Sequence, residues 1–488
     1  MLDWLERTPD RVALRWQGAD ITYGELARRS GRTASALAAR GIGRGDRVAV
    51  LAYNGPDYLD LLFACARLGS VLVTLNWRLA PPEWSYILGH AGAKLLVHDG
   101  EFSKALDTLN LRLVCAGLDL QSCKGGDVPP VAGRPDDPLL LVYTSGTTGK
   151  PKGAVHTAAT LTANAAAGVE AHAMTPADRI LTFLPMFHVG GLNNQTLPAL
   201  SVGATVILQP RFAPEPALLA IEAEKPTIVL LVPAVMKALL EHKRFATTDL
   251  SSLRFAMAGS SVVPVELIRA FHARGLPVGQ IYGSTETGPV SIVLKREDAM
   301  RKEGACGVPA LGCAVRIVDE AGRDVPEGAS GEVLIKAPNL MTGYWQDEAA
   351  TRAALQDGWY RTGDIGRRDT EGFYWVDERK KDMIISGGEN IYPAELEAVL
   401  DACPAIAESA VIARADPKWG EVPVAVVVRR QGAELAEEEV RLLFDGRLAR
   451  FKHPHAVVFV EALPRNVMGK VLRYRLREAF GAPALAKT

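Results

Sequence analysis

Leu139-Leu140-Leu141-Val142-Tyr143-Thr144-Ser145-Gly146-Thr147-Thr148-Gly149-Lys150-Pro151-Lys152-Gly153 passes directly from an apolar run into a loop of glycines, hydroxyls and lysines. Leu139–Tyr143 reads as a buried strand, bounded by turn residues. The Ala-rich stretch after Thr157 reads as a helix, with the Thr157 hydroxyl positioned to cap an unpaired backbone N–H. Strand, glycine-rich loop and helix in succession put the loop beside an α/β core. Its chemistry suits a polyphosphate: glycines let backbone N–H groups approach an anion, hydroxyls donate, and lysines add positive charge. It is not a P-loop, which needs Ser or Thr after the lysine where this chain has Pro151.

Outward from this stretch, Ile180–Leu184, Ala204–Leu208, Leu253–Ala258 and Gly279–Tyr282 read as further buried strands alternating with helical patterns, predicting a layered α/β fold. After about residue 380 the pattern changes. Ala407–Ala413, Val422–Val428 and Ala456–Val460 read as strands around a charged helix near Ala436–Arg450. The expectation is a large layered α/β N-terminal domain, residues 1–380, and a small mobile α+β C-terminal domain, residues 381–488. A chain of 488 residues exceeds the size at which one core usually stops growing, which agrees with two domains.

The formal net charge of -1 removes the electrostatic reason to expect broad nucleic-acid binding. The start, Met1-Leu2-Asp3-Trp4-Leu5, does not read as a signal peptide, and the apolar run Ile228–Met236 is broken by Pro233 and too short to span a bilayer. No transmembrane segment is expected. Cys65, Cys115, Cys123, Cys306, Cys313 and Cys403 show no zinc spacing and no small disulfide framework, so the expected compartment is cytoplasmic.

Tyr143–Gly153 resembles the phosphate loop of the adenylate-forming superfamily, which includes acyl-CoA synthetases, peptide-synthetase adenylation domains and beetle luciferases. Further resemblances follow in the family's order, from about Trp4 to about Arg477. They imply that Thr144, Ser145, Gly146, Thr147, Thr148 and Lys152 hold phosphates. His188, in Phe183-Leu184-Pro185-Met186-Phe187-His188, would be a gate between the carboxylate and ATP sites. Gly259 would line the purine and acyl sites, Tyr282 would stack on adenine, Thr285 would bond the α-phosphate, and Glu286 would hold Mg²⁺. Asp364 would accept from the ribose hydroxyls and Arg379 would add a second nucleotide contact. The family's glycine before that arginine is replaced by Glu378, which puts the local turn in doubt.

Lys381 matches the hinge position. Gly388, in Ser386-Gly387-Gly388-Glu389-Asn390, resembles a loop that enters the site during thioester formation, and Trp419 lies where an aromatic borders the pantetheine tunnel. Lys470, in Pro464–Lys470, matches the catalytic lysine, whose ammonium would offset charge shared among attacking oxygen, α-phosphate and pyrophosphate. The resemblance therefore implies an AMP-forming acid-thiol ligase using ATP, Mg²⁺ and coenzyme A, with a fatty acid favoured as substrate. Aryl or hydroxycinnamate acids, transfer to a carrier protein, a luciferase-like oxygenase and a non-catalytic acyl-nucleotide sensor stand as alternatives. Members are often monomers or dimers, which leaves a homodimer as the expectation for assembly.

Overall fold

The computed structural model describes residues 1–109, 111, 113–118, 120, 127–144, 150–260, 263–379, 383–464 and 471–482, with Val114, Asp377, Glu378 and Arg379 described by backbone alone. The chain divides into two compact units, one of residues 1–77, 88–143 and 153–378, the other of 78–87, 144–152 and 379–488.

The first unit is built on three sheets. A nine-stranded sheet runs, edge to edge, through Val308–Pro309, Ile292–Leu294, Val278–Tyr282, Phe255–Gly259, Ile228–Leu231, Arg179–Thr182, Thr205–Leu208, Val12–Trp16 and Ala19–Thr22. A seven-stranded sheet includes Lys152–Thr157, Pro138–Thr144, Val71–Thr74 and Arg47–Leu51 as neighbours, and a five-stranded sheet contains the antiparallel neighbours Gly331–Lys336 and Trp359–Arg368. Central strands such as Val71–Thr74 and Ile228–Leu231 are buried at every residue. Such continuous apolar runs are what parallel strands covered on both faces require. Pro233, which interrupts the run Ile228–Met236, separates the strand from the helix Pro233–Glu241 and occupies that helix's first turn, where a missing N–H costs nothing. The Thr157 hydroxyl accepts from the Thr160 N–H at 3.1 Å and starts the helix Ala158–Ala171.

The second unit carries a sheet of Glu389–Ile391, Ile384–Ser386, Gly420–Arg429 and Ile406–Asp416, with Ala456–Phe459 parallel to Gly420–Arg429. Alternate residues face two small cores: Val411, Ala425 and Val427 pack with Leu396 and Leu400, while Ala410, Ile412, Val424 and Val426 pack with Leu463 and Leu476. The charged helix expected over Ala436–Arg450 is shorter, Glu437–Leu442. Gly446, at φ 71°, adopts a left-handed conformation that an α-helix does not accommodate. Among the described residues no helix is long and apolar enough to cross a membrane.

Candidate active site

A turn at one strand end and a bulge within another strand bring candidate side chains together within the first unit. The strand Val278–Tyr282 leads into the single helical turn Thr285–Thr287. Gly283 joins them, and only glycine fits, because a Cβ there would lie 1.6 Å from the Pro289 carbonyl oxygen. On the strand Trp359–Arg368, Glu332 pairs with Ile365 and Leu334 with Arg361, so Thr362, Gly363 and Asp364 stand opposite the single Val333. This bulge, with Gly363 at φ 71°, re-aims Asp364. Its carboxylate Oδ2 accepts from the Tyr282 hydroxyl at 2.7 Å. Gly259 closes the neighbouring strand, paired with Ile281, so Gly259, Tyr282, Thr285, Glu286 and Asp364 belong to one region.

The turn Thr285–Thr287 is held from several elements. His156 Nε2 lies 2.8 Å from the Thr285 carbonyl; a carbonyl only accepts, so this nitrogen carries the proton. Burial pulls the His156 pKa down to about 4 and keeps the ring neutral. The Glu286 carbonyl accepts from the Met341 N–H at 2.8 Å, and its buried carboxylate accepts from the Tyr344 hydroxyl at 2.9 Å. Burial, and secondarily the Glu286 charge, push the Tyr344 hydroxyl far above the ordinary phenol range, fixing it as a donor. Three buried asparagines complete the scaffold. Asn339 Nδ2 donates to the Thr287 carbonyl at 2.8 Å, Asn193 Nδ2 to the Gly288 carbonyl at 3.0 Å, and Asn164 Oδ1 accepts from the Val290 N–H at 3.1 Å. These buried hydrogen bonds, made from several elements, hold the turn in one conformation.

His188 begins a different feature. Its ring lies 4.4 Å from Phe187, centroid to centroid, and its carbonyl accepts from the Leu192 N–H at 3.1 Å at the entrance to a π-helical segment, Gly190–Thr196. Thr144 and Lys152 flank the phosphate loop, the Thr144 hydroxyl 3.5 Å from the Lys152 carbonyl oxygen. Gly388 lies in the turn between Ile384–Ser386 and Glu389–Ile391, and the preceding Gly387 N–H donates to the Trp419 carbonyl at 2.8 Å. Arg379 ends the strand Tyr374–Arg379. Ser145, Gly146, Thr147, Thr148, Lys381 and Lys470 lie outside the described residues, as does the Arg379 side chain.

The AMP-binding enzyme family matches residues 2–345, and the AMP-binding enzyme C-terminal domain matches 395–470. The chain belongs to the AMP-binding enzyme family. It is 47% identical over 496 residues to an indoleacetate–CoA ligase of Aromatoleum aromaticum, covering 98% of this chain and 97% of that protein. A feruloyl-CoA synthase of Amycolatopsis is 41% identical over 478 residues, covering 97% of each. Among solved structures, an o-succinylbenzoate CoA synthetase of Bacillus subtilis bound to a product analogue superimposes with a TM-score of 0.91 at 34% identity, covering 97% of this chain and 98% of that one.

Within this AMP-binding enzyme, Tyr344, His156 and the three asparagines did not emerge from sequence reading. Tyr344 is 58 residues from Glu286, and Asn339 is 52 from Thr287. Neither sits in a run whose composition announces chemistry. The buried His156, between the phosphate-loop candidates and the helix cap Thr157, was the one local signal available.

Proposed function

We propose that this AMP-binding enzyme activates an aromatic carboxylic acid with ATP and transfers the acyl group to coenzyme A. The observation that carries the nucleotide half is the Tyr282–Asp364 bond of 2.7 Å beside the braced turn Thr285–Thr287. The aryl preference is supported by the names of the indoleacetate and feruloyl relatives, and it displaces the fatty acid favoured on sequence alone.

In this reading, the Tyr282 ring lies beside adenine, the Asp364 carboxylate accepts from ribose hydroxyls, and the Thr285 hydroxyl donates to the α-phosphate. The buried Glu286 carboxylate, one oxygen held by Tyr344, fits Mg²⁺, which is commonly bound through one or two carboxylates and substrate phosphates. When bound, the ion would neutralise phosphate charge. A carboxylate oxygen of the acid attacks the α-phosphorus and the bond to pyrophosphate breaks, leaving acyl-AMP. The coenzyme A thiol, giving up its proton, then attacks the acyl carbonyl and AMP departs. Lys470 would offset charge in the first step, with Gly388 and Trp419 lining the approach of the thiol in the second. Lys381 would act as the hinge and Arg379 as a second nucleotide contact.

The test is AMP release with Mg-ATP and coenzyme A across indoleacetate, hydroxycinnamates, benzoates and fatty acids, with product mass confirmed. A preferred aromatic acid yielding its CoA thioester is expected. A preferred fatty acid would overturn the aryl reading, and pyrophosphate release without any CoA thioester would redirect the acceptor to a carrier protein. Lys470→Ala is expected to abolish adenylation while sparing much ATP binding; unchanged adenylation would remove Lys470 from the mechanism.

A further inference from the structure

One face of the helix Pro81–Ala91 meets both limbs of the phosphate loop. Tyr86 and His90 are four residues apart and so lie on the same side of that helix. His90 Nδ1 is 2.8 Å from the hydroxyl of Tyr143, on the strand that leads into the loop, and the two rings stand edge to face with centroids 5.8 Å apart. A phenol both donates and accepts, so either tautomer of the imidazole makes this bond. On the returning limb, the Tyr86 hydroxyl lies 3.5 Å from the Pro151 carbonyl oxygen. The Tyr143 ring reaches that limb as well, since a Cβ at Gly153 would sit 3.1 Å from its Cζ. The Gly153 carbonyl in turn accepts from the Trp345 N–H at 2.7 Å. His90 and Tyr143 are only partly buried, so water could take the place of their bond. A bond that water can replace adds little to stability, and what it supplies here is alignment.

We propose that His90 is a positioning residue for ATP, holding Tyr143 so that both limbs of the loop are set for the phosphates that depart as pyrophosphate. The inference rests on the nucleotide half of the reading above and adds to it a residue outside every motif. Between Thr144 and Lys150 the sequence has two glycines, Gly146 and Gly149, and glycine loses more conformational freedom on being fixed than any other residue. Closing such a stretch around phosphates costs entropy, and limbs fixed in advance lower that cost. His90 acts through Tyr143, whose ring extends from the outgoing strand to Gly153. AMP lacks the β- and γ-phosphates, so the effect belongs to ATP and not to AMP.

The experiment measures the Kd of ATP and of AMP by titration calorimetry on the full chain, with Mg²⁺ present and no acid. Tyr143→Phe, which keeps the ring, and His90→Leu are each expected to raise the Kd of ATP by about 3- to 10-fold and to leave that of AMP within about 2-fold of the wild type. The double variant should bind ATP no more weakly than either single one, because both remove the same bond. His90→Asn, whose amide stands near the position of Nδ1, should recover wild-type ATP binding. Each variant should unfold within about 3 °C of the wild type, and Tyr143→Phe decides alone should His90→Leu not fold. ATP binding unchanged in the single variants, ATP and AMP weakened together, or losses that add in the double variant each overturn the inference. Lys152→Ala separates it from the reading on which it rests. If ATP binding survives that change, the phosphate-loop reading fails and the inference with it; if ATP binding weakens there but not in Tyr143→Phe or His90→Leu, the role of His90 alone is overturned.

Discussion

Glu286 shows how one side chain's usefulness is set by its neighbours. It is buried, its backbone carbonyl is tied to Met341, and its carboxylate takes the Tyr344 hydroxyl at 2.9 Å. A hydrogen bond to a charged group contributes about 1.5–3 kcal/mol, so Tyr344→Phe is expected to slow pyrophosphate release by roughly 10- to 100-fold at saturating ATP. An unchanged rate would show that Glu286 needs no such support. Tyr282→Phe loses the 2.7 Å bond to Asp364 and leaves the ring in place, so its expected effect is a KM for ATP raised by about 10-fold with the acid dependence unaltered. The residue-scale lesson is one of range. Tyr282, Thr285 and Glu286 were legible because strand end, glycine and turn lie within a few positions. Tyr344 was not, because a phenol following a glycine carries no sign of the carboxylate it will meet until the chain is folded.

At the scale of the element, capping was legible and deviation from ideal geometry was not. Thr157 before an Ala-rich run announces a helix start, and Thr157→Ala is expected to cost about 1 kcal/mol in urea unfolding. The charged run after Ala436 looked like one long helix because its composition suits one, yet Gly446 at φ 71° lies within the expected span. The π-helical segment was equally hidden, since its sequence differs little from that of an α-helix. Two adjacent glycines expose its constraint. A Cβ at Gly191 would sit 2.3 Å from the Pro185 carbonyl oxygen and 2.4 Å from that of Leu184, whereas at Gly190 it would meet nothing within 4 Å. Gly191→Ala is therefore expected to destabilise by about 1–3 kcal/mol, and Gly190→Ala by no more than about 0.5 kcal/mol. Equal urea midpoints for the two variants would contradict this account of the turn.

At the scale of the molecule, the first unit buries two histidines that its fold keeps neutral. His156 and His172 are 0% and 1% exposed. Each has one ring nitrogen 2.8 Å from a carbonyl oxygen, of Thr285 and Gly168 respectively, and so spends its proton there. The other ring nitrogens have no partner, so a second proton would be buried without a bond. Burial accordingly pulls both pKa values down to about 4. An unfolded chain binds those protons near pH 6.5, so the folded state keeps its full advantage above that value and loses it as pH falls toward 4. By pH 5 the loss amounts to about 2 kcal/mol per histidine. The expected outcome is a urea midpoint that falls steeply between pH 7 and 5, and a slope cut by about half in His172→Gln, which removes one titrating group far from Thr285 in sequence. Because the folded chain keeps His156 neutral down to about pH 4, its bond to the Thr285 carbonyl persists, and adenylation by the folded enzyme is not expected to be lost on its account between pH 7 and 5 in the wild type or in His172→Gln. A stability that stays level from pH 7 to 5 would mean that these rings find partners for a second proton, and that the turn carrying Glu286 is braced by a group able to change its charge.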